Sequence, residues 1–282
     1  MSLIERTIFF TIAQGDQYEK MASNLFYSLK LKHPEIKTAC ISYTPVKFCD
    51  YHFSISELCP SLNNINESSI NGQAYSFKLG IYKRIPKDFL NQFDKIIFYD
   101  CDSICINKIE IDEIIFESKF YVPWCQSIVT EDLKIKSKIN ENWAWNGAHF
   151  YKHAEFAKLH NIKEWKNVNA GLVVISTKEL DNLIEMYVNL TNKIYSFYGH
   201  EYGAEELTFS LMMSILDSKY TTPNICNNKI NQLCMNQSIE DVINNNKFKY
   251  TPWFNSTGQE SFEVFPTCVH FPGQKLNLIY NK

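Results

Sequence analysis

Asp100-Cys101-Asp102 follows directly on Lys95-Ile96-Ile97-Phe98-Tyr99, so two carboxylates one residue apart terminate an apolar, β-rich run. The length and residue types of that run suit a buried strand covered on both faces. In open α/β sheets, chemistry gathers at the carboxyl ends of strands, which is where this pair falls. Clustered carboxylates there hold a divalent cation or, less often, supply an acid or a nucleophile. Asp-x-Asp alone is weak, since on the order of one match arises by chance in a chain of this length. The strand in front of it makes the pair informative, and the rest of the chain has to decide what it holds.

The elements that would position this pair can be read from periodicity. Thr7 to Ala13 predicts a first buried strand ending at Gln14-Gly15-Asp16, where a helix begins. Asp16 and Glu19 have capping-box spacing, and Met21, Leu25 and Leu29 form the apolar stripe. His33-Pro34 stops the helix, and Lys37 to Tyr43 predicts a second strand. The turn between them lacks the G-x-G-x-x-G of dinucleotide-binding folds. Residues 60–73 are expected to form a polar loop. A helix is expected from about Ala74 to Ile85, with Ala74, Phe77, Ile81 and Ile85 facing the core and Tyr75, Lys78 and Tyr82 on another face. Residues 123–148 look irregular and carry Trp124, Trp143 and Trp145, which suit either plain packing or a wall on which a sugar stacks. Gly171 to Ile175 predicts a strand, Lys178 to Ile194 a helix, and a further helix starts near Ala204 with Leu207, Leu211 and Ile215 as its stripe. The Asn-rich stretch 221–262 gives no assignment, and a short strand is expected from Thr267 to Phe271. With no repeat and no linker-like boundary, the economical reading is one α/β domain over residues 1–282.

Composition narrows the partners. With 28 Lys plus Arg against 31 Asp plus Glu, and no stretch that reads as a basic face, a nucleic-acid backbone is not an expected ligand. The nine cysteines are odd in number and contain no C-x-x-C, so reduced, mostly buried thiols are expected rather than a disulfide framework or a zinc site. No apolar h-region opens the chain and no run of 18 apolar residues occurs, so neither a signal peptide nor a membrane span is expected and the location reads as cytoplasmic. The oligomeric state is not readable.

Four segments carry a resemblance when taken together: Phe10-Thr11-Ile12-Ala13-Gln14-Gly15-Asp16-Gln17-Tyr18, Asp100-Cys101-Asp102, Asn167-Val168-Asn169-Ala170-Gly171, and Val269-His270-Phe271-Pro272-Gly273-Gln274-Lys275. In this order and spacing the chain, from Phe9 to Lys275, resembles GT-A fold glycosyltransferases, most closely the family of glycogenin and the bacterial lipooligosaccharide galactosyltransferases. The resemblance implies a single GT-A domain, a Rossmann-like, mixed but mostly parallel sheet flanked by helices, with a donor-nucleotide half over about 1–110 and an acceptor half over about 111–282. It implies that Thr11 and Ala13 touch the base of a nucleotide sugar through the backbone, with the Tyr18 ring stacked on it. Lys78 falls where the family often has a basic residue reaching the donor, although a solvated helix face is the plain alternative. Asp100 and Asp102 match the D-x-D motif that holds Mn2+ (or Mg2+), with Asp100 also on the donor side. Asn169 and Gly171 match the turn beside the donor sugar, His270 matches the third protein ligand of the metal, and Gly273 and Lys275 match residues contacting the diphosphate. Two departures stand out. Lys275 comes one residue earlier than in the family's H-[FY]-x-G-x-x-K, and Gly203-Ala204-Glu205-Glu206 replaces a G-D-Q triplet. Glu205 and Glu206 are then the candidates for stabilising charge at the reacting centre, with Glu206 a carboxylate where the family has an amide; helix-start acids favoured by the macrodipole are the plain alternative.

The chemistry implied is transfer of a sugar from a nucleotide diphosphate, a UDP-sugar by resemblance, to a hydroxyl of a glycan, protein or lipid-linked acceptor, with retention at the anomeric carbon. A nucleoside diphosphate leaves readily only when its developing charge is neutralised, and a divalent cation held by hard carboxylates and one imidazole does that. Two other classes use parts of the same pattern. Haloacid-dehalogenase-like phosphatases also place Asp-x-Asp after a strand, but at the first strand and with a later acidic pair; this chain has the motif at residue 100 and no Asp-Asp anywhere. The other is a non-catalytic module that binds a nucleotide sugar on a transferase fold.

Overall fold

The computed structural model of the chain describes residues 4–58, 78–109, 118–122, 124–129, 156–168, 170–198, 204–216, 231–233, 248–250, 262–264 and 268–270. Its centre is a six-stranded sheet built from β1 (Thr7–Ala13), β2 (Lys37–Ser42), β3 (Tyr51–Ser54), β4 (Lys95–Tyr99), β6 (Phe120–Tyr121) and β9 (Leu172–Ser176), ordered β3-β2-β1-β4-β9-β6. The pairs β3/β2, β2/β1 and β1/β4 are parallel, whereas β9 runs antiparallel to both of its neighbours. Successive strands move outward from β1 to β3, and the chain then returns to place β4 on the other side of β1. That reversal opens a crevice at the carboxyl ends of β1 and β4, the usual position of a ligand in such sheets.

The period-two pattern of the central strands explains why this sheet is buried on both sides. Ile8 and Phe10 of β1, Ile96 and Phe98 of β4, and Val173 and Ile175 of β9 enter one apolar cluster. Phe9, Ile97, Tyr99, Leu172 and Val174 enter the other. Helix α1 (Asp16–Lys32) covers the second face with Met21, Leu25, Phe26 and Leu29. Two later helices (Leu180–Tyr198 and Ala204–Ile215) cover the first face with Leu183, Ile184, Tyr187, Phe209 and Met212. Phe10 stands edge-on to Tyr82 with ring centroids 5.1 Å apart. A side chain of that size, truncated to alanine in such a setting, costs about 3–5 kcal/mol.

Beside the main sheet lies a second of three strands, ordered β10-β13-β5, from β5 (Ser103–Cys105), β10 (Asn231–Leu233) and β13 (Cys268–His270). Further two-stranded pairs join β7 (Trp124–Val129) to β8 (Glu164–Val168) and β11 (Phe248–Tyr250) to β12 (Phe262–Val264). A serine of α1 and the histidine that caps its C-terminus brace β5 and the residues after it. Ser28 Oγ accepts the Cys105 N–H at 2.9 Å, and His33 Nε2 accepts the Ile109 N–H at 2.6 Å. Both contacts are buried and both fall on the segment that follows the Asp-x-Asp turn.

Several expectations are corrected. Asp16 and Glu19 form no capping box: Gly15 is the N-cap, without a side-chain cap, at φ 94°. Only glycine adopts that conformation without strain where β1 hands over to α1. The Glu19 carboxylate instead accepts the backbone N–H groups of Tyr43 and Thr44, both at 3.1 Å, and the Thr44 hydroxyl at 2.5 Å. The expected helix over 74–85 is, in its described part, a 3-10 helix Gly80–Arg84 that Pro86 terminates. At three residues per turn Leu79, Tyr82 and Ile85 share one side, and all three are core residues, so Tyr82 is not on a separate face. The segment expected to be irregular from 123 contains strand β7, whose pairing to β8 carries a register shift between Trp124 and Gln126. Trp143 and Trp145 lie outside the described residues. Ile215, expected in the helix stripe, is 40% exposed because it ends the helix.

Cys40, Cys49, Cys101, Cys105 and Cys268 are free. Burial pushes the Cys101 and Cys268 thiols well above their ordinary value, which makes them poor nucleophiles. Among the described residues, no helix is long and apolar enough to cross a membrane.

His33→Ala should lower unfolding stability by about 1–3 kcal/mol, because the buried Ile109 N–H loses its acceptor. Urea denaturation of the purified variant checks this. A midpoint equal to that of the unsubstituted protein would show that α1 does not brace the segment after β5.

Candidate active site

Four separate stretches of chain build the site. Parallel pairing of β1 with β4 sets Phe10 opposite Phe98, so the strand ends Ala13 and Tyr99 open onto the same crevice. Thr11 Oγ1 donates to the Tyr99 carbonyl at 2.7 Å and ties the two ends together. The Asp100 N–H donates to the Gly171 carbonyl at 2.9 Å, and the Ser103 N–H to the Asp100 carbonyl at 3.1 Å. Asp100-Cys101-Asp102 is therefore a braced turn between β4 and β5. Antiparallel pairing of β5 with β13 then sets Ser103 opposite His270, which brings an imidazole from near the chain's end beside the turn.

Asp100, Asp102 and His270 converge. One ligand atom from each lies within 4.8 Å of the others. His270 Nε2 is 3.0 Å from Asp102 Oδ1 and 3.5 Å from Asp100 Oδ2. Cis ligands about 2.1 Å from an octahedral ion stand about 3 Å apart, so these separations fit a small divalent cation. Two hard carboxylates and one imidazole are a donor set for Mn2+ or Mg2+. Burial alone would lower the His270 pKa, but the charges of Asp102 and Asp100 outweigh it and hold the ring above its ordinary value.

The second cluster is built around Lys78. Its ammonium lies 2.6 Å from Asp100 Oδ1 and 2.7 Å from Glu205 Oε1, with the Ala170 carbonyl accepting from it at 3.3 Å and the Phe98 ring 5.0 Å away. Lys78 and Glu205 are both buried. Desolvation works against the charged lysine, yet Asp100 and Glu205 more than compensate and keep it protonated well above its ordinary range. Burial pushes the Glu205 carboxyl above its ordinary value, a shift that the Lys78 ammonium against it opposes. Glu206 is half-buried in the same first helical turn.

Of the residues singled out by sequence, the fold brings together Asp100, Asp102, His270, Lys78 and Glu205. Gly171 contributes a brace through its carbonyl. Thr11 is buried with its backbone in register with Cys40, and Ala13 is buried opposite Ser42 at the strand end. Tyr18 stands 37% exposed on the first turn of α1, its ring open to solvent. Asn169, Gly273 and Lys275 lie outside the described residues. Lys78 is not on a solvated face. The burial of the ammonium had no signal in local periodicity, because it follows from two acids distant in the chain. Phe98 and the Ala170 carbonyl, both contacts of that ammonium, were missed for the same reason.

No protein-family model and no curated protein matches this sequence. Solved structures do match. Galactosyltransferase LgtC in complex with donor and acceptor sugar analogs is 12% identical, at a TM-score of 0.50, over 94% of this chain and 87% of that one. The apo structure of the bifunctional glycosyltransferase WbbM is 10% identical, also at 0.50, over 95% of this chain and 46% of that one. The mixed α/β architecture of this chain is thus the GT-A-like fold that these glycosyltransferases share.

Proposed function

We propose that the chain is a metal-dependent glycosyltransferase that moves a sugar from a nucleotide diphosphate, a UDP-sugar, to an acceptor hydroxyl with retention of configuration. The observation that carries this reading is the convergence of Asp100, Asp102 and His270 at the crevice between β1 and β4, on a fold shared with glycosyltransferases. Asp100, Asp102 and His270 would hold Mn2+ or Mg2+, which supplies Lewis-acid neutralisation of the leaving diphosphate. The ends of β1 at Thr11 and Ala13, with the exposed Tyr18 ring, would receive the base. Asn169, Gly171, Gly273 and Lys275 would complete the donor side, and Glu205 with Glu206 would face the sugar. The braced turn that carries Asp100 and Asp102 and the buried strand end that carries His270 would keep the cation's ligands preorganised, which is where electrostatic catalysis gains most. The whole chain would act as one domain, its donor side in residues 1–110 and its acceptor side in residues 111–282. A phosphatase of the haloacid-dehalogenase type would carry its Asp-x-Asp after the first strand, whereas here the motif follows β4.

Metal and donor should bind cooperatively, because the diphosphate bridges to the cation. Titration calorimetry with UDP is expected to show binding at least about tenfold tighter with Mn2+ than with EDTA, a coupling within the common range. Equal affinities would remove the metal-bridged donor site.

Asp102→Asn and His270→Gln should each weaken Mn2+ binding and suppress Mn2+-dependent release of nucleoside diphosphate by about a hundredfold or more, with melting temperatures near that of the unsubstituted protein. Glutamine is chosen because His270 is buried and alanine would leave a void. Full turnover in either folded variant would dismiss these residues as ligands.

A further inference from the structure

Glu205 stands 2.7 Å from the ammonium that also holds Asp100, and this shared contact has a consequence for the metal site. Lys78 is pinned: its side chain is 6% exposed, flanked by the Ala170 carbonyl and the Phe98 ring, so it cannot swing to solvent. Asp100 needs its charge for a cation, yet one of its oxygens is 2.6 Å from this fixed positive group. We propose that Glu205 is a positioning residue that acts through Lys78: by carrying the opposite charge on the ammonium's other side, it keeps Lys78 from neutralising Asp100 and so sets the cation affinity of the site. This rests on the metal reading of Asp100, Asp102 and His270.

The charges make the argument. Lys78 and Glu205 cancel as a pair, which leaves the two negative charges of Asp100 and Asp102 to face a divalent ion. Without the Glu205 charge, Lys78 offsets one of those two, and an incoming cation meets a single net negative charge with an ammonium a few ångströms away. At such distances, in a site as buried as this, an unscreened like charge changes affinity by an order of magnitude or more. A lysine placed to contact donor phosphate independently of Glu205 would behave differently, because loss of the Glu205 charge would then leave the affinity for the bare cation unaltered.

The test uses the full chain and Mn2+ alone, with binding followed by electron paramagnetic resonance of the free ion. Glu205→Gln should raise the Mn2+ dissociation constant by roughly tenfold or more. Lys78→Met combined with Glu205→Gln, which again balances the charge, should return it to within about threefold of the unsubstituted protein. Glu205→Asp, which keeps the charge, should also stay within about threefold and guards against misfolding of the glutamine variant. Unchanged affinity in Glu205→Gln overturns the proposal, as does a double variant as weak as the single one or a tenfold loss in Glu205→Asp. Failure of the unsubstituted protein to bind Mn2+ removes the metal reading itself, and this inference with it.

Discussion

A buried ammonium is tolerable only with negative charge on it, and the site of this protein is organised around that requirement. Lys78 has lost its water, so it is held by Asp100 on one side and Glu205 on the other. That constraint reaches into three elements at once: the turn before the 3-10 helix Gly80–Arg84, the end of β4, and the first turn of the helix Ala204–Ile215. Removing the Lys78 charge would leave two carboxylates facing each other across a low-dielectric crevice, which costs more than the loss of one exposed ion pair.

Around this centre the backbone supplies rigidity. Thr11 ties β1 to β4, Gly171 braces Asp100, and Ser28 with His33 anchors the residues after Asp102 to helix α1. His270 is delivered by a strand pairing that spans most of the chain, β13 against β5. The proposed cation ligands therefore sit on a strand and a hydrogen-bonded turn. This is the arrangement that lets electrostatic stabilisation act without reorganisation cost.

The fold was readable wherever periodicity and burial agree. Thr7–Ala13 and Lys95–Tyr99 are apolar on both faces because two helix layers cover them, and their limits came out correctly from residue type alone. His270 was reached only through the resemblance, since nothing local in Cys268–His270 distinguishes a ligand from a core histidine. What failed was set by distant partners. Glu19 abandons the helix cap for Tyr43 and Thr44, β7 forms by pairing across a register shift with the distant β8, and Lys78 is buried by acids 22 and 127 residues away in sequence (100 − 78 and 205 − 78). Each is a tertiary contact that overrides a local preference, as expected when burial energies exceed propensities of a few tenths of a kcal/mol.

The reading as a sugar transferase stands or falls on one measurement. The purified chain is incubated with a panel of nucleotide sugars in Mn2+, and released nucleoside diphosphate is quantified, with EDTA as the paired condition. The account expects release from at least one UDP-sugar in Mn2+ and its loss in EDTA, because Asp100, Asp102 and His270 can neutralise the diphosphate only through a cation. Release that persists undiminished in EDTA, or none from any nucleotide sugar while Mn2+ is bound, would contradict it.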